Sequence, residues 1–172
     1  LTDIKLFNKG KKNLEINGFW GGLTSSDLKF DVALNDLNIN FLSSLGKKAI
    51  NNFQGTVDGR VNLSGSINKI VHDGYLKLKD GRFSIPFLNL EYSIEDTTVN
   101  LEEQNFLFKK TAINDLSKGT SANFSGNLLH NSFSNWTTNL TVTSERMLLL
   151  NTDNRPESLF FGEGYLNGKV TL

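Results

Sequence analysis

The 172-residue chain contains no cysteine. That absence excludes disulfides, thiolate metal sites and cysteine nucleophiles, and it leaves the redox compartment open, because a secreted chain need not carry bridges. Charge of one sign is also missing, since 18 Lys and Arg balance 18 Asp and Glu. No basic surface invites nucleic acid, and no acidic tract invites cations. No stretch approaches the about 18 consecutive apolar residues of a membrane-spanning helix. Leu1 opens directly into alternating sequence with no basic leader, and "GYLNGKVTL" ends as a strand without a terminator. Residues 1–172 therefore read as one β-rich piece of a larger protein, with any signal or anchor expected elsewhere.

Catalytic signatures are equally scarce. His72 and His130 lie far apart in the chain, and no H-E-x-x-H, G-x-S-x-G or P-loop pattern occurs. His72 is expected at the surface beside a turn at Asp73 and Gly74, and His130 in a structural turn between strands. Asp27, Asp31, Asp58, Glu91 and Glu95 fall on polar faces or in turns, with nothing to hold two carboxyls close at separated pKa values. The glycines of "GEGYLNG" precede no helix whose N-terminus could bind phosphate. No enzyme activity, cofactor or metal is expected.

What the chain does contain is period-two alternation. Leu28, Phe30, Val32 and Leu34 share one face and Asp27, Lys29 and Asp31 the other. The phase slips at Asn35 and Asp36, as a bulge would make it, and continues through Leu37, Ile39 and Phe41. One short helix is expected over 43–51, behind Ser43 and Ser44 as candidate caps. "GTVDGRVNLSGSI" reads as a straight strand. A two-residue turn at Asp80 and Gly81 would pair Leu78 with Phe83 and Leu76 with Ile85. A second turn through Asp96 and Thr97 would pair Ile94 with Val99 and Tyr92 with Leu101. A third at "EEQN" would pair Leu101 with Phe106 and Val99 with Phe108.

These registers place apolar residues on one continuous face across roughly ten to twelve strands, and nothing in the sequence covers it. Two all-β solutions bury such a face: two sheets packed as a closed sandwich, or one long antiparallel sheet curved around an apolar groove. Periodicity does not choose between them.

Several segments carry a family resemblance. "GRFSIPFLNLEYSI", "SGNLLHNSFSNW" and the "LLLNT" ending at Thr152, within a similarity that is strongest over 55–172, resemble the C-terminal region of TamB proteins, AsmA-like, of the Bacteroidota type. The resemblance implies a β-taco, an all-β curved antiparallel sheet with an apolar inner face. It implies a periplasmic location within an inner-membrane-anchored protein, and a BamA-like outer-membrane partner of the TamA type. It further implies conduction of phospholipids between the membranes in support of outer-membrane biogenesis and protein assembly. The alternative is an interaction scaffold or chaperone that offers exposed strand edges to an outer-membrane barrel. On this reading phospholipid acyl chains contact Leu76, Leu78, Phe83, Ile85, Leu90, Tyr92, Ile94, Val99, Leu101, Phe106, Phe108, Phe124, Trp136 and Leu140. Head groups stay near Lys77, Lys79 and Arg82, and the short helix plugs one end of the groove.

Overall fold

A computed structural model of the chain describes residues 2–8, 10–21, 27–44, 50–66, 68–153 and 161–172. Alternation becomes strand almost everywhere: β1 (Thr2–Asn8), β2 (Lys11–Trp20), β3 (Asp27–Asn38), β4 (Asn51–Ser66), β5 (Lys69–Ile85), β6 (Leu90–Ile94), β7 (Thr97–Glu103), β8 (Asn105–Asp115), β9 (Ser121–Asn131), β10 (Ser134–Thr152) and β11 (Gly162–Thr171). All pairings are antiparallel within one 11-stranded sheet, ordered β1-β2-β3-β4-β5-β6-β8-β9-β10-β11, with β7 also seated between β5 and β8. The strands that a sandwich would divide between two layers are hydrogen-bonded in a single path, so the curved-sheet expectation holds and the sandwich falls. No described helix is long and apolar enough to cross a membrane.

The predicted bulge at Asn35 and Asp36 is present. The β3–β4 register shifts between Leu34 and Leu37, Asp36 adopts φ 53°, and its N–H donates to Asp58 Oδ1 at 2.8 Å. Asn13 adds two side-chain N–H bonds, to the carbonyls of Asn35 and Asp36.

Asp80 and Gly81 form the same device instead of the predicted turn. Strand β5 runs straight through them, and only Asp80 takes positive φ, at 52°, with its N–H on Asp96 Oδ1 at 3.0 Å. Gln54 faces Arg82 while Thr56 faces Lys79, so β5 carries one extra residue. A one-residue bulge and a two-residue turn both move the apolar phase from even to odd numbers, which is why alternation alone misread the site. The reversal comes later. Pro86–Leu88 forms a single 3-10 turn, closed by Asn89 in the left-handed region. It pairs Ile85 with Leu90 and Phe83 with Tyr92.

The second predicted hairpin also fails. Strands β6 and β7 lie end to end along β5, with Ile94 opposite Gly81 and Thr97 opposite Leu78. The long edge of β5 offers ladder bonds to both, and a hairpin between β6 and β7 would leave half of that edge unpaired. The third register, Val99 with Phe108 and Leu101 with Phe106, is as expected. Of the predicted helix over 43–51, residues 45–49 lie outside the described residues. Nearby, the described chain holds one 3-10 turn, Asn40–Ser44, and Asn51 already opens β4.

Cross-strand registers assemble continuous rows on one face. Leu6, Leu14, Leu34, Gly59 and Leu76 stand opposite one another in succession. Val99, Phe108, Gly126, Leu140 and Leu172 continue the same row to the far edge. At Gly59 a Cβ would lie 2.5 Å from the Tyr75 carbonyl oxygen and 3.0 Å from Leu76 Cδ2, so the neighbouring backbone and leucine already fill the space a side chain would take.

Candidate functional site

The face bearing these rows is concave in the C-terminal half, as two contacts across it establish. On β5, His72 lies three strand spacings from His130 on β9, about 14 Å on a flat sheet, yet their Nε2 atoms are 2.7 Å apart. Near the other end of the strands, Tyr92 on β6 donates its hydroxyl to the carbonyl of Leu148 on β10 at 2.6 Å, again across three spacings. Only a sheet that curls back on itself brings these pairs together.

At the tyrosine end, β10 produces the closure. Its register against β9 breaks between Thr143 and Arg146, and against β11 between Ser144 and Met147. These bulges turn Met147 and Leu148 inward onto Leu90, Tyr92 and Ala122, the buried cluster of the molecule. Two further bonds fix the flap, from Leu148 N–H to Thr120 Oγ1 at 2.9 Å and from Asn89 Nδ2 to the Asn151 carbonyl at 2.7 Å. Beneath it, the Asp115 carboxylate accepts from the Ser117 and Lys118 amides and the Ser117 hydroxyl, which orders the looser loop before β9.

Burial, with the Asp115 charge adding to it, pushes the Tyr92 hydroxyl up to about 12. The chain has three tyrosines. In an alkaline absorbance titration one of them is expected to ionise well after the ordinary value of about 10. Because the folded value is raised above the unfolded one, the Tyr92 contribution to stability is whole below about 10 and is lost as pH rises towards 12. A single transition near 10 for all three tyrosines would contradict this account.

At the histidine end the contacts are polar and aromatic. Ser132, in the β9–β10 turn, accepts the Ile70 N–H on its hydroxyl at 3.1 Å and donates to the Asn68 carbonyl at 3.0 Å. Its N–H reaches Gln104 Oε1 at 2.7 Å. Phe106, Phe133 and Trp136 surround the two imidazoles. The surface position expected for His72 is therefore wrong: the residue lies inside β5 and is 2% exposed, and Asp73 and Gly74 form no turn. His130 likewise ends a strand and is buried against His72. Two lone histidines far apart in the chain gave no sign that curling would join them.

All fourteen predicted acyl-contacting residues lie on the concave face by register. Leu90, Tyr92 and Leu101 are buried, Trp136 is exposed at the histidine end, and the other ten are half-buried. The bulge at Asp80 keeps Leu76, Leu78, Phe83 and Ile85 together despite the misread turn. Lys77, Lys79 and Arg82 occupy the opposite, convex face; Lys79 pairs there with Asp58 at 2.6 Å and holds that carboxyl below its ordinary range. They do not border the apolar surface, because each alternates with a concave neighbour.

The predicted acyl contacts left out the N-terminal half of the surface, although alternation had already put Phe30, Val32 and Leu34 on one face. Leu14, Ile16, Phe30, Val32 and Leu34 of β2 and β3 extend the same rows, and none belongs to the buried cluster. On the edge strand β1, Ile4 and Leu6 are 46% and 52% exposed. The continuous face thus has two regimes, an open trough over β1–β4 and a curled, cross-linked part over β5–β10. Among the described residues, no three His, Asp or Glu side chains gather as a metal site.

Residues 109–172, which run from the second half of β8 through β11, match the family model for the TamB C-terminal domain. No curated protein and no solved structure matches the chain. The matched strands supply His130 and the inward flap of Met147 and Leu148, whose partners His72 and Tyr92 lie before the match, and the domain they match is a part of the translocation and assembly module of the cell envelope. Over residues 109–172 the chain is therefore similar to the TamB family.

Proposed function

We propose that the concave face binds phospholipid acyl chains, within a periplasmic segment that conducts lipid between the two membranes. The observation that carries this reading is the unbroken apolar row from Leu6 to Leu172, left open over β1–β4. Water against such a face is costly, at roughly 25 cal/mol per Å² of apolar surface. A flexible hydrocarbon chain relieves that cost without needing any directional contact, and the face offers almost none. A TamA-type outer-membrane partner is part of the same proposal, and a strand edge of the sheet is the kind of surface able to accept a strand from it.

Native mass spectrometry after incubation with phospholipid vesicles tests the reading. Phospholipid adducts are expected on the wild-type chain, with a loss of at least about tenfold in Val32→Asp and Leu34→Asp, since an unpaired charge in an acyl site costs well over about 1.4 kcal/mol. Both positions are half-buried, so circular dichroism is expected to show a retained sheet. Undiminished adducts in these variants, or none on the wild type, would refute acyl binding at this face.

A further inference from the structure

Four donors and acceptors settle where the protons of the histidine pair sit. The Phe133 N–H donates to His130 Nδ1 at 3.0 Å, so His130 carries its own proton on Nε2. That proton points at His72 Nε2, 2.7 Å away, which must accept it. His72 then bears its hydrogen on Nδ1, a buried atom with no partner. Each imidazole has one remaining basic nitrogen, and each is already an acceptor. A proton added to His72 Nε2 breaks the bond between the rings, and one added to His130 Nδ1 expels the Phe133 N–H.

The turn held by these bonds is strained. Ser132 and Phe133 both take positive φ, 49° and 61°, which non-glycine residues avoid. Phe133 stays there with its ring stacked on His130 at 4.6 Å and 15°. Release of the imidazole contacts therefore frees a segment that does not favour its present shape.

We propose that the His72–His130 contact is a proton-operated latch that holds the β9–β10 turn against β5 and closes one end of the apolar surface. The inference rests on the acyl-binding reading for its purpose, but not for its chemistry. A cleft of about 740 Å³ brings solvent to the rim of the pair, and its charged lining is Asp73 from β5 with Glu102 and Glu103 from β7. Strands β4 and β8 contribute Asn62, Ser64 and Asn105 there, and the β9–β10 turn contributes no charge. Burial lowers the pKa of His72, with the neighbouring ring adding to it, and burial lowers that of His130. Folded values below the ordinary imidazole value of about 6.5 mean that the contact is whole above that pH and is lost as pH falls below it.

Amide hydrogen exchange at about pH 7.5 and about pH 5, corrected for intrinsic rates, reads the latch without lipid. Protection at Ile70, Ser132 and Phe133 is expected to fall about tenfold at the lower pH, with Val32 and Asp31 in β3 unchanged. The doubly substituted chain, His72→Gln with His130→Gln, is expected to lose this pH dependence. Constant protection in the wild type, an equal loss in every strand, or the same pH dependence in the variant overturns the latch. If the variant does not fold, NMR titration of the wild-type imidazoles decides: they must gain protons over the range in which protection falls, and rings neutral throughout it overturn the proposal. Uptake of a fluorescent phospholipid, measured in parallel, is expected to rise at the lower pH. Uptake equal at both values while exchange opens overturns the gating. No uptake at either pH counts against the acyl-binding reading, and the exchange result still judges the latch.

Discussion

Gly126→Ala is expected to lower the thermal midpoint by about 4–20 °C, at about 2–4 °C per kcal/mol for a chain of this size. Gly126 sits in the concave row between Phe108 and Leu140 with φ at +135°, and an added Cβ would lie 2.0 Å from the Asn139 carbonyl oxygen of β10. That oxygen belongs to backbone and cannot swing aside like the tip of a side chain. An alanine must instead rotate φ back to negative values, which turns both flanking peptide groups out of their ladders. Backbone strain of about 1–3 kcal/mol and one or two weakened ladder bonds of about 1 kcal/mol each together reach about 2–5 kcal/mol. Gly119→Ala is the control. It also has positive φ, +68°, but nothing lies within 4 Å of its Cβ position, so a loss of about 1 kcal/mol is expected. Equal midpoints for the two variants would show that the close approach to β10 does not matter.

Leu148→Ala is expected to cost about 2–5 kcal/mol, the range for deleting a buried leucine side chain. Leu148 is 0% exposed, and no other apolar residue in the described chain is more deeply buried. Its neighbours cannot collapse onto an alanine easily, because the bonds to Tyr92 and Thr120 hold the flap from both sides. Urea unfolding measures the loss. The tyrosine titration gives it a location: with the flap loosened, water reaches the Tyr92 hydroxyl, and its ionisation moves down from about 12 towards the ordinary value. A destabilised variant whose late tyrosine does not move would place the damage elsewhere.

Most of the architecture was legible because alternation is a local signal. Leu28 to Leu34, the bulge after them and the Val99–Phe108 hairpin all follow from residues within one strand or one turn. The errors at Asp80 and Asp96 share a cause. A bulge, a hairpin and an in-line break each change the phase by one residue, and only the availability of a long neighbouring edge decides among them. That edge belongs to β5 and β4, whose pairing no local pattern records. The face of every predicted acyl-contacting residue survived those errors because parity survived them. What stayed illegible was where the sheet curls and which residues meet across it. His72 with His130, and Tyr92 with Leu148, meet only because the sheet curls through three strand spacings, and nothing in "MLLL" signals that it turns inward.

The rows also set a rule for growth and loss. The surface lengthens by about 4.8 Å with every full-length strand added, whereas β6 and β7, end to end along β5, together add only one such step. Pairs of strands are the natural unit, since an antiparallel path resumes its direction only after two. Removing β2 and β3 together would let β1 meet β4 with the chain still running correctly; removing β3 alone would leave β2 and β4 running in the same direction, so they could not resume the antiparallel ladder. The length of the apolar face is thus set by counting hairpins, independently of what touches it.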